Sequence, residues 1–225
     1  IGEPETIQDG PVDTTVTTLA SSAGTGSIYI SETDALEIGS VAAIDVERVD
    51  IDSTTTTQSG TVLEGAAAAL NLKIEAGNGL TVNNAVTATN ADLLLHALNG
   101  DLALNNPVAA GGNASLLASA NLTQAAAGDV TVGGTLDVDA QSGDLTMTDG
   151  AVSNVTGNIR YLATGDIRLA SLNGPNVLVD AGGSIIDNGE TDVDVIATSA
   201  QLVAGAVIGE PETIQDGPVD TTVTT

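Results

Sequence analysis

Apolar and polar residues alternate in short runs along most of this chain, and the runs recur at a steady spacing. In Leu136-Asp137-Val138-Asp139 the two aliphatic side chains share one face and the two carboxylates the other, and Ile167-Arg168-Leu169 repeats the pattern. A period of two over so few residues predicts a β-strand with one buried face. The runs are too short for helices, and Gly, Asn and Asp punctuate them as turn residues do.

Three series of runs are legible. One ends in Ala: 72–76, 93–97, 136–140, 159–163 and 177–181. A second opens on Gly or another small residue at positions 79, 100, 121, 143, 165 and 183, so its steps are 21, 21, 22, 22 and 18 residues. A third, weaker series includes Ala85-Val86-Thr87, Pro107-Val108-Ala109, Val130-Thr131-Val132 and Ala151-Val152-Ser153. Short strands at three phases of a turn of roughly 22 residues predict an all-β fold, a parallel β-solenoid, with each coil about 4.8 Å above the last. Parallel crossovers are nearly always right-handed, so a right-handed β-helix is expected. Nine or ten coils at that rise make a rod roughly 45 Å long.

The stretch from Ile1 to Thr61 fits the coil period least well. Gly2-Glu3-Pro4-Glu5 and Gly10-Pro11 are turn signals, and Thr54-Thr55-Thr56-Thr57 reads as an exposed loop. The Ala-rich stretch from Gly65 to Leu70 is either a short helical excursion or the low-bulk interior of a coil, and the second fits the period better.

A longer repeat overlies the short one. Ile1 to Thr18 read IGEPETIQDGPVDTTVTT, and Ile208 to Thr225 match them letter for letter at an offset of 207 residues. The expected organisation is one solenoid unit over residues 1–207, with 208–225 beginning the next identical unit and continuing the stack. A motif duplicated at the two ends of one domain is the competing reading. No amphipathic capping helix is evident at either terminus. A solenoid without caps exposes strand edges that invite further pairing, so a continuing array is the simpler resolution.

Composition agrees with a thin layered interior. The 225 residues are 42% apolar yet contain no Phe, Trp or Cys, and Tyr29 and Tyr161 are the only aromatic rings. An ordinary globule fills its centre with larger rings. The charge is −26, from 30 acidic and 4 basic residues. Such a field repels nucleic acid and anionic membrane surfaces and keeps a long particle soluble. A solvated outer face accounts for the acid excess first. Divalent-cation binding and adaptation to a salty habitat are the alternatives. No apolar stretch approaches the length of a membrane span. No leader opens the chain, so any export signal is expected outside this segment. The absence of Cys is compatible with secretion.

Candidate chemistry is sparse. His96 is the only histidine and aligns with Asp139, so it should point outward as a spacer; one His without Cys makes a zinc site improbable. Calcium is the one cofactor worth weighing, through Asp45, Asp50 and Asp52 or through Asp187, Glu190, Asp192 and Asp194. Neither group carries a calcium-loop motif, so no cofactor is expected. Some β-helices cleave polysaccharides, but they need acid/base pairs and sugar platforms, and here Trp is absent and bases nearly so. Outward Thr81, Thr131 and Thr146 hint at an ice-binding ladder, which Ala103 and Arg168 interrupt. Asn113, Asn121 and Asn154 open glycosylation sequons. No catalytic, cofactor-binding or metal-ligating set emerges, and an enzyme is not expected.

Several segments bear a family likeness. Gly165-Asp166-Ile167-Arg168-Leu169, the run from Asn176 to Asp187, Leu202 to Gly209, and Ser27 to Gly39 resemble the repeats of filamentous-haemagglutinin-like giant bacterial surface proteins. The resemblance implies a right-handed parallel β-helix, secretion from a bacterium, and a role in adhesion or extracellular fibres. It brings no catalytic residues. The expected function is therefore a structural repeat of an extracellular or cell-surface fibre, with other copies of the repeat as partners. The alternative is a stalk or binding region of a giant adhesin, which would meet cell-surface glycans or other cells.

Overall fold

The computed structural model describes residues 10–189, 192–209 and 219–223. Every regular element among them is a strand, and the strands wind into a β-solenoid of about nine coils. Three long sheets form its sides. Sheet A stacks Val12–Thr14, Ile28–Glu32, Leu72–Ala76, Leu93–Ala97, Ala114–Ala118, Leu136–Ala140, Ile159–Ala163, Asn176–Ala181 and Ser199–Ala204. Sheet B stacks Thr18–Leu19, Leu36–Ile38, Leu80–Val82, Leu102–Leu104, Leu122–Gln124, Leu145–Met147, Ile167–Leu169 and Ile185–Asp187. Sheet C stacks Ser21–Ala23, Ala66–Ala68, Val86–Ala88, Val108–Ala110, Val130–Val132, Val152–Val155, Ser171–Asn173, Val195–Ala197 and Thr221–Val223.

All pairing within these sheets is parallel and joins one coil to the next. In sheet A, Leu72, Leu93, Ala114, Leu136 and Ile159 are successive partners, stepping 21, 21, 22 and 23 residues. The alternation of the sequence becomes the alternation of faces. Leu80, Leu102, Leu122, Leu145, Ile167 and Ile185 form one buried aliphatic stripe in sheet B, all at 1% exposure or less. Burying each such side chain is worth about 1.5–3 kcal/mol, which is how a core without stacked rings holds together. The sheet A strands close on a stripe of Ala76, Ala97, Ala118, Ala140, Ala163 and Ala181, where the chain leaves for the corner.

The three series of the sequence are the three sheets, with two differences. Ala114–Ala118 belongs to sheet A although Leu117 spoils its alternation: Leu117 takes an outward place between His96 and Asp139. In the third series, Ser153 rather than Val152 faces inward, opposite Val130. The register slips by one because the buried Ser153 hydroxyl meets the Tyr161 hydroxyl at 2.7 Å.

The irregular early region also has a physical cause. Leu72 pairs with Ile28, 44 residues earlier, so about one coil's worth of chain leaves the rod there. It forms an arm between Leu36–Ile38 of sheet B and Ala66–Ala68 of sheet C: Ser40–Val41 pairs antiparallel with Leu63–Glu64, and Asp45–Val49 with Thr55–Ser59. The Thr run expected as a loop is thus mostly the strand Thr55–Ser59 of an exposed hairpin. Consecutive Thr residues suit an extended backbone, and Ser53, at φ 67°, makes the reversal. Ala66–Ala68 is a strand with Ala66 and Ala68 buried, which settles the Ala-rich stretch as coil interior. The turn signals at Gly2-Glu3-Pro4-Glu5 lie outside the described residues.

Candidate functional site

The corners of the rod are built from side chains that hydrogen-bond up the axis. Between sheets A and B, the Asp101 carboxylate accepts the Asn121 backbone N–H at 2.9 Å, and Asn121 Oδ1 accepts that of Asp144 at 3.0 Å. Asp144 then accepts from Asp166 at 2.8 Å, and Asp166 from Ser184 at 2.7 Å. Between sheets C and A, Asn71 accepts the Asp92 N–H, Asp92 that of Asn113, and Asn113 that of Thr135. Corner amides that leave the sheet ladders still need acceptors, and an Asx side chain one coil below supplies them. Part of the acid excess is therefore built into the corners rather than spread over the strand faces.

Beside the second of these corners the surface of the rod is concave. The outward positions of sheet A next to it are Tyr29, Lys73, Leu94, Ser115, Asp137, Arg160, Leu178 and Gln201, one per coil. Two open depressions of about 470 Å³ each lie along this line. One is bordered by Tyr29, Asn71, Lys73 and Asp92, the other by Asp137, Arg160, Asn176 and Gln201. The Asn71 side-chain amide donates to the Tyr29 hydroxyl at 3.3 Å, which ties the ring to the corner. Arg160 grips Asp137 through two bonds, Nε at 2.7 Å and Nη2 at 2.9 Å. That bond raises the Arg160 pKa further above its usual range. In the next outward row, partial burial pushes the Asp139 carboxyl up; Arg160 opposes this and Asp137 reinforces it. The trough thus offers one ring, two cations and a row of amides and carboxylates, a surface able to hydrogen-bond an extended polar chain.

His96 points outward in the row of Asp139, as its alignment predicts. Its Nδ1 lies 3.5 Å from Glu75 Oε1, whose other oxygen is 2.9 Å from Lys73 Nζ. Described members of the two acidic groups weighed for calcium are engaged separately. Asp50 accepts from Thr56 and Asp52 from Thr54 within the hairpin, and the Thr54 bonds hold the Asp52 carboxyl below its usual range. Asp187 accepts the Gly189 N–H, and the buried Asp194 accepts the Asp220 N–H. Asp192 is exposed, and Glu190 lies outside the described residues. Among the described residues no group of three or more His, Asp or Glu side chains gathers as a metal site.

The Thr residues considered as an ice-binding ladder fall on two sides of the rod. Thr81 and Thr146 are on sheet B and Thr131 is on sheet C, because the three series are offset by a third of a coil. The sequon amides Asn113 and Asn121 are engaged in the corners with Asp92 and Asp101, whereas Asn154 is exposed on sheet C. The corner residues escaped the sequence reading. Their signal was an Asx at 71, 92 and 113, spaced like the strands, but such residues in turns are ordinary punctuation. The chain matches no protein-family model, no curated protein and no solved structure.

Proposed function

We propose that this chain is a structural repeat of an extracellular or cell-surface bacterial fibre, stacking end to end into a long acidic rod, and that it is not an enzyme. The observation that carries this reading is the last strand of sheet A. Among the described residues Ser199–Ala204 pairs with Asn176–Ala181 on one side only, and its inward Ala200, Leu202 and Ala204 are half covered where the same stripe is fully buried one coil below. An apolar, unpaired edge of that kind calls for another strand. The sequence supplies one, because from Ile208 it restarts at the beginning of the unit. Further units would then join covalently in register.

The resemblance to filamentous-haemagglutinin-like repeats supports secretion and a surface location, and the high negative charge suits a rod that stays apart from its neighbours. Among the described residues no helix is long and apolar enough to cross a membrane. Electron microscopy of a chain of several units tests the reading. Straight filaments with an axial period of about 45 Å support it. Compact, monodisperse particles overturn it.

The trough on sheet A favours one second reading, a stalk that also holds surface glycans or a neighbouring cell. Tyr29, Asn71, Lys73 and Asp92 present a ring beside hydrogen-bonding groups, the combination sugars use. Single units that adhere to cells, and lose adhesion on Tyr29→Ala, would favour it. Units that only stack would favour the fibre alone.

A further inference from the structure

The segment Val-Asp-Thr-Thr-Val occurs twice, at 12–16 and at 219–223, and the two copies lie in different sheets. Near the start of the chain, Val12, Asp13 and Thr14 pair with Ile30, Ser31 and Glu32 in sheet A. Near its end, Thr221, Thr222 and Val223 pair with Val195, Ile196 and Ala197 in sheet C. Thr14 and Thr221 are the same residue of the repeat, so one sequence has two strand partners on two sides of the rod.

The segment suits both places because its parity is the same in each. Thr14 stands opposite the inward Glu32, and Thr221 opposite the inward Val195. Side chains alternate with period two, so the same residues face the core in either sheet. Four of the five are β-branched and favour an extended backbone.

A buried carboxylate receives the segment in each place. Glu32, 2% exposed, accepts the Thr14 hydroxyl at 2.6 Å and the Val16 N–H at 2.9 Å, which turns the chain toward sheet B. Burial alone would raise the Glu32 pKa, but these bonds and those from the Thr33 and Asp34 N–H groups outweigh it and hold the carboxyl below its usual range. At the other end, Asp194 is fully buried and accepts the Asp220 N–H at 2.7 Å, while the Asp220 carbonyl accepts the Val195 N–H at 3.1 Å.

The two placements exclude each other, since Thr221 cannot lie on Val195 in sheet C while taking Thr14's place in sheet A. The sheet A place gains more when another unit follows. There the segment would pair with Ser199–Ala204 beneath it and with that unit's counterpart of Ile28–Glu32 above it. In sheet C it pairs on one side among the described residues. Pairing on the second side adds several backbone hydrogen bonds that the sheet C place lacks.

We propose that Val219–Val223 is a sheet-changing junction strand: without a following unit it covers the edge of sheet C beside Asp194, and a following unit draws it into sheet A, where that unit's Glu32 counterpart holds it. The partner is a second unit of this same chain, so the proposal rests on the end-to-end reading above. In sheet C the segment covers the edge at Val195–Ala197 until a following unit takes that place, while the sheet A edge at Ser199–Ala204 is where that unit draws it.

Paired cysteines distinguish the two placements. In the 225-residue chain, Ile196→Cys with Thr222→Cys joins directly opposed outward positions of sheet C and should oxidise to a disulfide. Asp13→Cys with Ser31→Cys does the same for sheet A near the start and serves as the control. In a chain of two units, the 196–222 disulfide at the junction should fall at least tenfold. A disulfide between Asp220→Cys and the second unit's counterpart of Ser31→Cys should replace it. Equal 196–222 closure in the one-unit and two-unit chains overturns the proposal. Electron microscopy of the two-unit chain separates the two levels. A single rod of roughly 90 Å with an unchanged 196–222 disulfide sinks only the sheet change, whereas two unconnected rods sink the end-to-end reading with it.

Discussion

Gln124 occupies an inward place of sheet B where its neighbours along the stripe are Leu104 below and Met147 above, so hydrophobic patterning alone expects Leu there to stabilise the rod. The network around it argues the opposite. Tyr161 reaches across the interior from sheet A, and its hydroxyl meets Ser153 Oγ of sheet C at 2.7 Å and Gln124 Oε1 at 3.3 Å. Ser153 Oγ is also 3.3 Å from Gln124 Oε1, and Gln124 Nε2 donates to the Val152 carbonyl at 3.1 Å. The three oxygens share two hydroxyl protons, so the chain of bonds ends on Gln124 Oε1 whichever way it runs. Burial raises the Tyr161 pKa strongly and the Ser153 bond only partly opposes this, so the phenol stays neutral and keeps its proton.

Gln124→Leu leaves one buried hydroxyl proton without an acceptor and takes a donor from Val152. An unsatisfied buried group costs about 1–3 kcal/mol. The added apolar burial returns about 1 kcal/mol or less. The net loss of about 1–2 kcal/mol lowers the melting temperature by about 2–8 °C in a chain this size. Tyr161→Phe should cost only about 1 kcal/mol, because Ser153 can still donate to Gln124. Replacing all three, Gln124→Leu with Ser153→Ala and Tyr161→Phe, removes every orphan and should recover much of the loss. Thermal and urea unfolding of the four proteins provide the readout. A melting temperature that rises with Gln124→Leu alone would refute the reasoning.

Gly133 stacks on Gly111 at a corner, and a Cβ there would press on the Gly111 carbonyl oxygen, a backbone atom that cannot swing aside. Gly133→Ala should therefore destabilise the rod by about 1–3 kcal/mol, while Gly26→Ala, with open space around it, should be within about 0.5 kcal/mol of neutral. Two carboxyl groups should respond to acid with opposite sign. The lowered pKa of Glu32 gives stability that is present above its ordinary value of 4.5 and lost as pH falls through the folded value. The raised pKa of Asp139 gives stability that is present below its ordinary value of 3.8 and lost as pH rises through the folded value. Amide exchange between pH 3 and 7 should show Thr14–Val16 loosening in acid, an effect absent in Glu32→Gln, while Asp139→Asn should raise stability at pH 7.

Most of the rod was legible because most strands of its three long sheets bury one face. Leu80-Thr81-Val82 or Ile167-Arg168-Leu169 declare their inward positions by period and recur at a coil's length. What escaped was whatever breaks local alternation for a reason lying elsewhere in the coil. Ser153 faces inward to meet a hydroxyl eight residues later in sequence but on another sheet, and Ala114–Ala118 carries an apolar Leu117 on its outer side. The hairpin arm escaped because Asp45–Val49 and Thr55–Ser59 bury nothing and so carry no period to read. The trough was invisible for a simpler cause: it is made by stacking one residue from each coil, and sequence shows those residues some 22 apart.

The corners separate what acidity does from what the fold needs. Asn113 and Asn121 accept backbone N–H groups in the same way as Asp92, Asp101, Asp144 and Asp166, so an amide oxygen meets the geometric demand as well as a carboxylate. The charge at those Asp positions is then an addition with a separate consequence. It lines the edges of the rod, where a neighbouring rod would touch first, with repulsion that reaches about 10 Å at 0.1 M salt. Changing Asp92, Asp101, Asp144 and Asp166 together to Asn should leave the melting temperature nearly unchanged. Changing them to Ala should cost about 1 kcal/mol per lost acceptor. Light scattering should nevertheless show the Asn protein associating side by side at lower salt than the parent, since four of the 30 acidic charges leave the edges. If the Asn and parent proteins associate at the same salt, the corner charges do not keep rods apart. If the Asn protein melts as low as the Ala protein, the amide is no substitute and the acids are there for the fold.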